Sequence, residues 1–262
     1  DDRTSRGLGD VYKRQHHDCP DTCGWVVETD DKGVAVRMRG DEDHPFSAGE
    51  LCPKVNRFLD RVYHPDRILT PLRRVGAKGS GEFEPVTWEV ALRDVGERLT
   101  DLVNTHGGEC VLPFSDAGNQ SVLSLQGISS RFFNHIGASR LLRNICGPTV
   151  GAGLSMTNGN GKSLDPMEIE HSRLIVLWGT NTRLTNRHLW PTIEKARAAG
   201  ARLVVIDPVK TITADAVDGD DDYFLQPLPG TDIALMLAVM HIIIRDDLVD
   251  DEWVSKYTLG FD

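Results

Sequence analysis

The residues best suited to chemistry fall in one stretch, His16-His17-Asp18-Cys19-Pro20-Asp21-Thr22-Cys23, answered further on by Leu51-Cys52-Pro53-Lys54. Three of the five cysteines lie there, at the spacing C-x3-C-x28-C, and a lysine follows the last by two residues. Two thiolates with three residues between them can bend round one metal centre, and a distant third can close the site. Three readings are open to this pattern. The thiols can be isolated and buried, or they can form a structural zinc site that uses His16 or His17. They can also hold an iron–sulfur cluster, which takes four cysteines or three cysteines and a histidine. The lysine places positive charge beside something anionic or redox-active.

Composition narrows the field. A chain of 262 residues is long enough for one large domain or two smaller ones with a real core. Hydrophobic content of 40% and charged content of 26% are those of an ordinary globular protein. A net charge of -10 and a pI near 5.4 argue against nucleic acid or an anionic membrane as the main partner. Clustered cysteines fit metal ligation in a reducing compartment better than a secreted disulfide framework. The apolar run Ile233 to Ile244 is too short to span a bilayer and reads as a buried helix. Residues 1–15 carry no apolar leader and no pattern that joins them to the rest of the chain. They resemble a translated adapter or assembly scar and are set aside, and the abrupt stop after a helical stretch reads as the end of a fragment.

The elements that must position the cysteines come in order along the chain. Trp25-Val26-Val27-Glu28 and Val34-Ala35-Val36-Arg37-Met38, joined by Asp30-Asp31-Lys32-Gly33, form a hairpin. A short helix over 56–63 and a turn over 64–67 close a first domain near residue 70. Residues 73–81 are a basic, Gly-rich connection. Thr87 caps a helix running from Trp88 to about Asn104, stopped by Gly107-Gly108. Cys110 to Phe114 reads as a short buried strand and Val122 to Ile136 as a helix.

Further on, Arg173 to Trp178 and Arg202 to Ile206 are apolar strands flanking a helix that starts near Pro191 and ends at Gly200. This is a βαβ unit, whose connection should be right-handed. Its ligands gather outside the carboxyl ends of the strands, which places Gly179–Thr182 and Asp207–Thr211 on one rim.

Gly179-Thr180-Asn181-Thr182 offers close backbone approach with amide and hydroxyl partners for phosphate or base, or a plain structural turn. It lacks the spacing of a nicotinamide-binding fingerprint. Asp207 can accept hydrogen bonds from a ribose or purine, or merely cap, and Pro229-Gly230-Thr231-Asp232 can be a ligand loop or only an N-cap. Gly161-Lys162-Ser163 is no P-loop, because Met156 stands where its first glycine belongs. Asp218 to Asp222 lacks the ligand order of a calcium loop and reads as a solvated acidic turn. Cys146, in a loop of small residues, is a core filler or a soft ligand for a transition metal. No Ser/His/Asp set has a nucleophile-elbow context.

Over roughly residues 16–262 these motifs together resemble the dimethyl sulfoxide reductase family of molybdopterin oxidoreductases. His17 to Gly24 with Leu51-Cys52-Pro53-Lys54 is similar to its cluster signature, and Asn119-Gln120 to a pterin-contacting turn. Val176-Leu177-Trp178-Gly179-Thr180-Asn181, Val205-Ile206-Asp207-Pro208 with Thr211, and Pro229-Gly230-Thr231-Asp232 are similar to its dinucleotide-binding loops. The resemblance implies an α/β protein: a small β-rich iron–sulfur domain over 16–70, then part of a Rossmann-like molybdopterin-binding domain over 71–262. It implies a 4Fe-4S cluster on Cys19, Cys23 and Cys52; the family's first cysteine falls on Gln15 here, so either that cysteine was lost or His16 takes its place as the fourth ligand. It implies a molybdenum or tungsten bis(molybdopterin guanine dinucleotide) cofactor contacted by Gln120, Trp178, Gly179, Thr180, Asn181, Thr182, Asp207, Pro208, Thr211, Gly230, Thr231 and Asp232.

Lys54 matches the lysine between cluster and pterin and would carry positive charge along the electron path. The family's metal-ligating residue falls near 145–146. A gapless match to Gly147-Pro148 puts it on Ile145, and Cys146, one residue on, is the candidate catalytic ligand. The implied activity is two-electron oxidoreduction of a small-molecule substrate, with electrons passing through the cluster to or from a partner protein or subunit. The alternative of the same fold is a non-catalytic electron-relay or scaffold subunit. Cytoplasmic localisation is the expectation, with export behind a twin-arginine signal known among relatives.

Overall fold

Strand β1 (Asp10–Arg14), strand β2 (Gly24–Thr29) and strand β3 (Ala35–Gly40) form an antiparallel sheet in that order. They are seen in a computed structural model that describes residues 10–14 (backbone), 19, 21–115, 123, 127–142, 144–145, 147–159 and 163–261. The hairpin β2–β3 is the one expected from the alternating apolar residues. Its turn is held by Asp30, whose Oδ1 accepts from the amides of Lys32 at 2.9 Å and Val34 at 2.8 Å. Strand β1 is not expected from sequence, where residues 1–15 show no pattern of their own. The outer edge of β2 presents unpaired amides and carbonyls, and the extended segment 10–14 takes them.

The chain divides into two compact units, Asp1–Ser163 and Leu164–Asp262. In the first, helix α1 (Phe58–Val62) follows the cysteine loops, and Tyr63 ties its end to β3 by accepting from the Ala35 amide at 2.8 Å. The basic, Gly-rich connection contains more order than its composition implied. Strands β4 (Leu72–Arg74) and β5 (Phe83–Pro85) pair across it, with Arg73 facing Glu84. Helix α2 (Trp88–His106) starts where its cap predicts, with Thr87 Oγ1 accepting from the Val90 amide at 3.3 Å.

The expected strand Cys110–Phe114 does not form. Gly108–Cys110 is a 3-10 turn, and the Val111 carbonyl accepts from the Ser139 amide with no ladder to extend that single bond. Of the expected helix 122–136, the described part is α3 (Ile128–His135), followed by α4 (Gly147–Asn158).

The second unit is the βαβ unit extended by one strand. Strand β6 (Leu174–Trp178) pairs parallel with β7 (Arg202–Ile206), which pairs parallel with β8 (Tyr223–Leu225). Between β6 and β7 lie the short α5 (Thr182–Thr185) and α6 (Trp190–Ala198), with Pro191 in the first turn of α6. Ile193 and Ala196 of α6 pack on Ile175, Leu177, Leu203 and Val205, and this is the core. Residues alternate along β6, so Leu174 and Val176 lie exposed on the other face.

Helix α7 (Asp232–Arg245) and helix α8 (Asp251–Tyr257) complete the unit. The run 233–244 is helical as expected but not buried. Ile233, Leu237 and Ile244 are each more than half exposed, because no described element packs over that helix.

A polar knot closes the edge of this sheet. Asp222, its side chain 6% exposed, accepts from the Leu203 amide at 2.6 Å and from Arg197 at 2.9 Å. Burial alone would raise the Asp222 pKa. The Leu203 amide, Arg197 and the Gly219 amide outweigh it and hold the carboxyl below the usual carboxylate range. Burial likewise opposes the charge on Arg197, but Asp218, Asp222 and Glu194 raise its pKa on balance.

Because the folded-state pKa of Asp222 is depressed, its stabilisation is present above the unfolded value of about 3.9 and fades as pH falls through the folded one. Asp222→Asn should therefore cost roughly 2–3 kcal/mol at neutral pH. In urea unfolding across pH, the gap between the two proteins should close below about pH 4. A gap that stays constant into strong acid would contradict this account.

Candidate metal and cofactor sites

The candidate metal-binding cysteines lie on the loops around the first sheet. Cys23 immediately precedes β2 and is buried, while Cys19 and Cys52 are half-buried. All three are free thiols. Thr22, between the first two, has a φ of 44°, a left-handed conformation that costs a β-branched residue on the order of 1–2 kcal/mol. The Cys52 carbonyl accepts from the amides of Val55 at 3.0 Å and Asn56 at 3.1 Å, which curls the chain into α1 and sets Lys54 on the exposed side of that turn.

The neighbouring thiols act on Cys23. Burial raises the Cys23 pKa first, and the nearby Cys19 and Cys52 raise it further, as does Asp21, against a backbone hydrogen bond that lowers it. Yet among the described residues no three His, Cys, Asp or Glu side chains gather tightly enough to hold a single metal ion. A lone zinc would need its thiolates roughly 3.8 Å apart, from a Zn–S distance of about 2.3 Å in a tetrahedron. A polynuclear cluster spreads its ligands over a larger frame.

His16 and Gln15 lie outside the described residues, as do Gln120 and Cys146. Ile145, the other candidate for the metal-ligating position, is described and is exposed.

The second candidate site is the carboxyl rim of the parallel sheet, and the structure brings the expected loops together there. Gly179, at a φ of +64° that a side chain would strain, donates its amide to the Ile206 carbonyl at 2.8 Å. The Asp207 amide in turn reaches the Leu225 carbonyl at 3.1 Å. The Asn181 Oδ1 accepts from Thr213 Oγ1 at 2.8 Å, and Thr213 accepts from the Arg183 amide at 3.1 Å. Thr182 and Thr213 are fully buried, and the Thr180 and Thr182 hydroxyls lie 3.3 Å apart.

Asp207 caps its own turn, its Oδ1 accepting from the Val209 amide at 2.8 Å, and Thr211 accepts from the Ala214 amide. Pro208 is exposed, and its carbonyl accepts from the Gln226 side chain at 2.8 Å. Gly230 and Thr231 enter α7, with Thr231 Oγ1 donating to the Leu228 carbonyl at 2.7 Å. Across 54 residues of sequence, the Trp178 indole N–H donates to Asp232 Oδ1 at 2.7 Å.

Beside this rim a cleft of about 430 Å³ opens between Phe224, Leu225, Gln226, Pro227, Thr231 and Leu235. Sequence reasoning misses Thr213, Gln226 and the strand β8. The aromatic-rich Tyr223-Phe224-Leu225 is the one local signal that could have found them.

Three free thiols in the N-terminal unit and, further along the chain, a parallel sheet with Gly-, Thr-, Asn- and Asp-bearing loops on one rim make this an α/β protein with a nucleotide-type rim and a set of thiols suited to metal. Comparison with known proteins gives the family. Residues 16–64 match the molybdopterin oxidoreductase Fe4S4 domain and residues 67–259 the molybdopterin oxidoreductase family. The chain belongs to the molybdopterin oxidoreductase family, with the Fe4S4 domain at its N-terminal side.

It is 40% identical over 245 residues to the probable oxidoreductase YoaE of Bacillus subtilis, covering 94% of this chain and 35% of that protein. It is 31% identical over 258 residues to the dimethyl sulfoxide reductase DmsA of Escherichia coli, covering 90% of this chain and 30% of the relative. Acetylene hydratase from Pelobacter acetylenicus has a similar fold, with a TM-score of 0.69 and 26% identity over 93% of this chain and 33% of its own. The chain thus spans about a third of the length of these relatives.

The family implies an Fe4S4 cluster and a molybdopterin cofactor, and the residues present fit both. Cys19, Cys23 and Cys52 are free thiols, the donor type that iron–sulfur clusters take, and the first and last lie near enough to raise the pKa of buried Cys23. The rim presents hydroxyl, amide and carboxylate groups at the ends of parallel strands, where such ligands bind.

The Trp178–Asp232 bond joins two of these loops. Trp178→Phe should cost about 1–2 kcal/mol of stability and Asp232→Ala a similar amount. Because one interaction underlies both, the double variant should lose little more than either single one in a denaturant-unfolding cycle. Fully additive losses would mean that the bond contributes nothing.

Proposed function

We propose that this chain is the cluster-bearing and part of the cofactor-binding portion of a molybdopterin-dependent oxidoreductase. The observation that carries the reading is the pairing, in one chain, of a match to the Fe4S4 domain that includes Cys19, Cys23 and Cys52 with a parallel sheet whose carboxyl rim presents the nucleotide-type loops. In this reading the three cysteines, with His16 as fourth ligand, hold a 4Fe-4S cluster, and residues 16–70 form the cluster domain. Residues 71–262 belong to a Rossmann-like domain for a molybdenum or tungsten bis(molybdopterin guanine dinucleotide) centre. That centre, when bound, supplies two-electron chemistry on a small substrate.

The polypeptide orients and insulates. Asn181, Thr182 and Thr213 lock the loop after β6, so Gly179 and Thr180 meet the cofactor with little left to reorganise. Asp232, one oxygen fixed by Trp178, offers the other to hydrogen-bond donors of a base. The carboxylate of Asp207 is turned back on the Val209 amide, so its part is to shape the loop that Pro208 and Thr211 complete. Lys54, exposed on the turn after Cys52, adds positive charge near the cluster and eases electron transfer through it to a redox partner. Cys146 is the proposed protein ligand to the metal. Free cysteines fit a reducing compartment, and we place the protein in the cytoplasm. No helix among the described residues is long and apolar enough to cross a membrane.

Metal and pterin analysis of the polypeptide extended to the length of its relatives, expressed without oxygen, tests the reading. About four iron per chain is expected, with molybdenum or tungsten and releasable guanine nucleotide. Cys146→Ala should lower the molybdenum or tungsten content while leaving iron in place. Iron alone would point to an electron-relay or scaffold subunit of the same fold, and zinc alone would overturn the cluster assignment.

A further inference from the structure

Next to the cysteine site lies a buried polar group that no cysteine spacing announces. Ser47 is 2% exposed and His44 8%. The Gly24 amide donates to Ser47 Oγ at 3.1 Å, and the Gly24 carbonyl accepts from the Asp41 amide at 3.0 Å. One loop, residues 41–47, therefore grips both backbone groups of the residue that follows Cys23. The loop is itself braced by His44, whose Nδ1 accepts from the amides of Ser47 at 3.1 Å and Phe46 at 3.3 Å. The fit leaves no spare room: a Cβ on Gly24 would come within 2.8 Å of His44 Cδ2.

We propose that Ser47 and His44 are positioning residues for Cys23, a buried clamp that fixes the backbone beside this thiol and so holds it where a cluster can bind. The proposal rests on the cluster reading above. Its physical basis is the length of the lever. Cys23 is joined to Gly24 by one peptide bond, so freeing the Gly24 amide frees the ligand. A cluster loses iron most readily where a ligand can swing away. Through these bonds the clamp acts on Cys23 by way of the backbone.

The test uses thiol trapping on the chain without metal, read by mass spectrometry, with exposed Cys110 as internal reference. Ser47→Ala should raise the alkylation rate of Cys23 relative to Cys110 on the order of tenfold, as loss of one buried hydrogen bond allows. Cys52 should keep its rate, and Ser47→Thr, which keeps the hydroxyl, should restore that of Cys23. His44→Gln reads the same clamp from its other side should Ser47→Ala fail to fold by circular dichroism.

After anaerobic loading with iron and sulfide, the Ser47→Ala protein should lose its visible cluster absorbance to a chelator several-fold faster than the parent. A parent that loads its cluster while the variants match it in trapping and chelator loss overturns the clamp. A parent that takes up no iron and sulfide overturns the cluster reading, and the ligand-positioning role falls with it.

Discussion

The burial of Cys23 among the loops at the start of β2 is the constraint on which the N-terminal part of this protein depends. Cys23 has little solvent to stabilise a negative charge, and Cys19 and Cys52 stand near enough to raise its pKa further. The loops around Cys23 are tied to one another by backbone hydrogen bonds and by the Ser47 hydroxyl, which accepts from the Gly24 amide. A cluster held by Cys19, Cys23 and Cys52 would take its ligands as thiolates, so its binding would be coupled to the folding of the loops that carry them. The left-handed Thr22 is consistent with this: a strained turn persists where its surroundings over-determine it.

The second unit solves a different problem, that of holding several polar loops still at the end of a parallel sheet. It does so by making the loops one another's partners. Asn181 bonds to Thr213, Trp178 to Asp232, Gln226 to Pro208, and the strand-end amides reach across to neighbouring carbonyls. Much of the polar chemistry on this rim is thus internal, and what remains for a ligand is a smaller, pre-ordered set. Several residues that look like ligand contacts in sequence therefore act as scaffolding, and the carboxylate of Asp207 on the Val209 amide is the plainest case.

The apolar surface of this unit is not used up by its core. One face of β6 and most of α7 are uncovered among the described residues. A parallel sheet in a complete α/β domain is covered on both faces. The relatives are about three times as long as this chain, so they have polypeptide to spare for such a cover.

What the sequence by itself determined is what local spacing can encode. The β2–β3 hairpin with its Asp30 turn, the Thr87 cap and the elements of the β6–α6–β7 unit all arise from residues a few positions apart. The same holds for the placing of 179–182 and 207–211 on one rim, because strand direction alone decides it.

Tertiary structure decided whatever depends on a partner distant in sequence. Nothing near Trp178 foretells Asp232, nor does anything near Gly24 foretell Ser47, 23 residues on. Cys110–Phe114 is apolar enough for a strand but finds no neighbouring ladder, while residues 10–14 find one at the edge of β2. The same gap explains α7: composition says a segment prefers to be buried, and only the packing of other elements can bury it. A hydrogen bond or a buried face is a property of two segments, and one segment's sequence carries half of it.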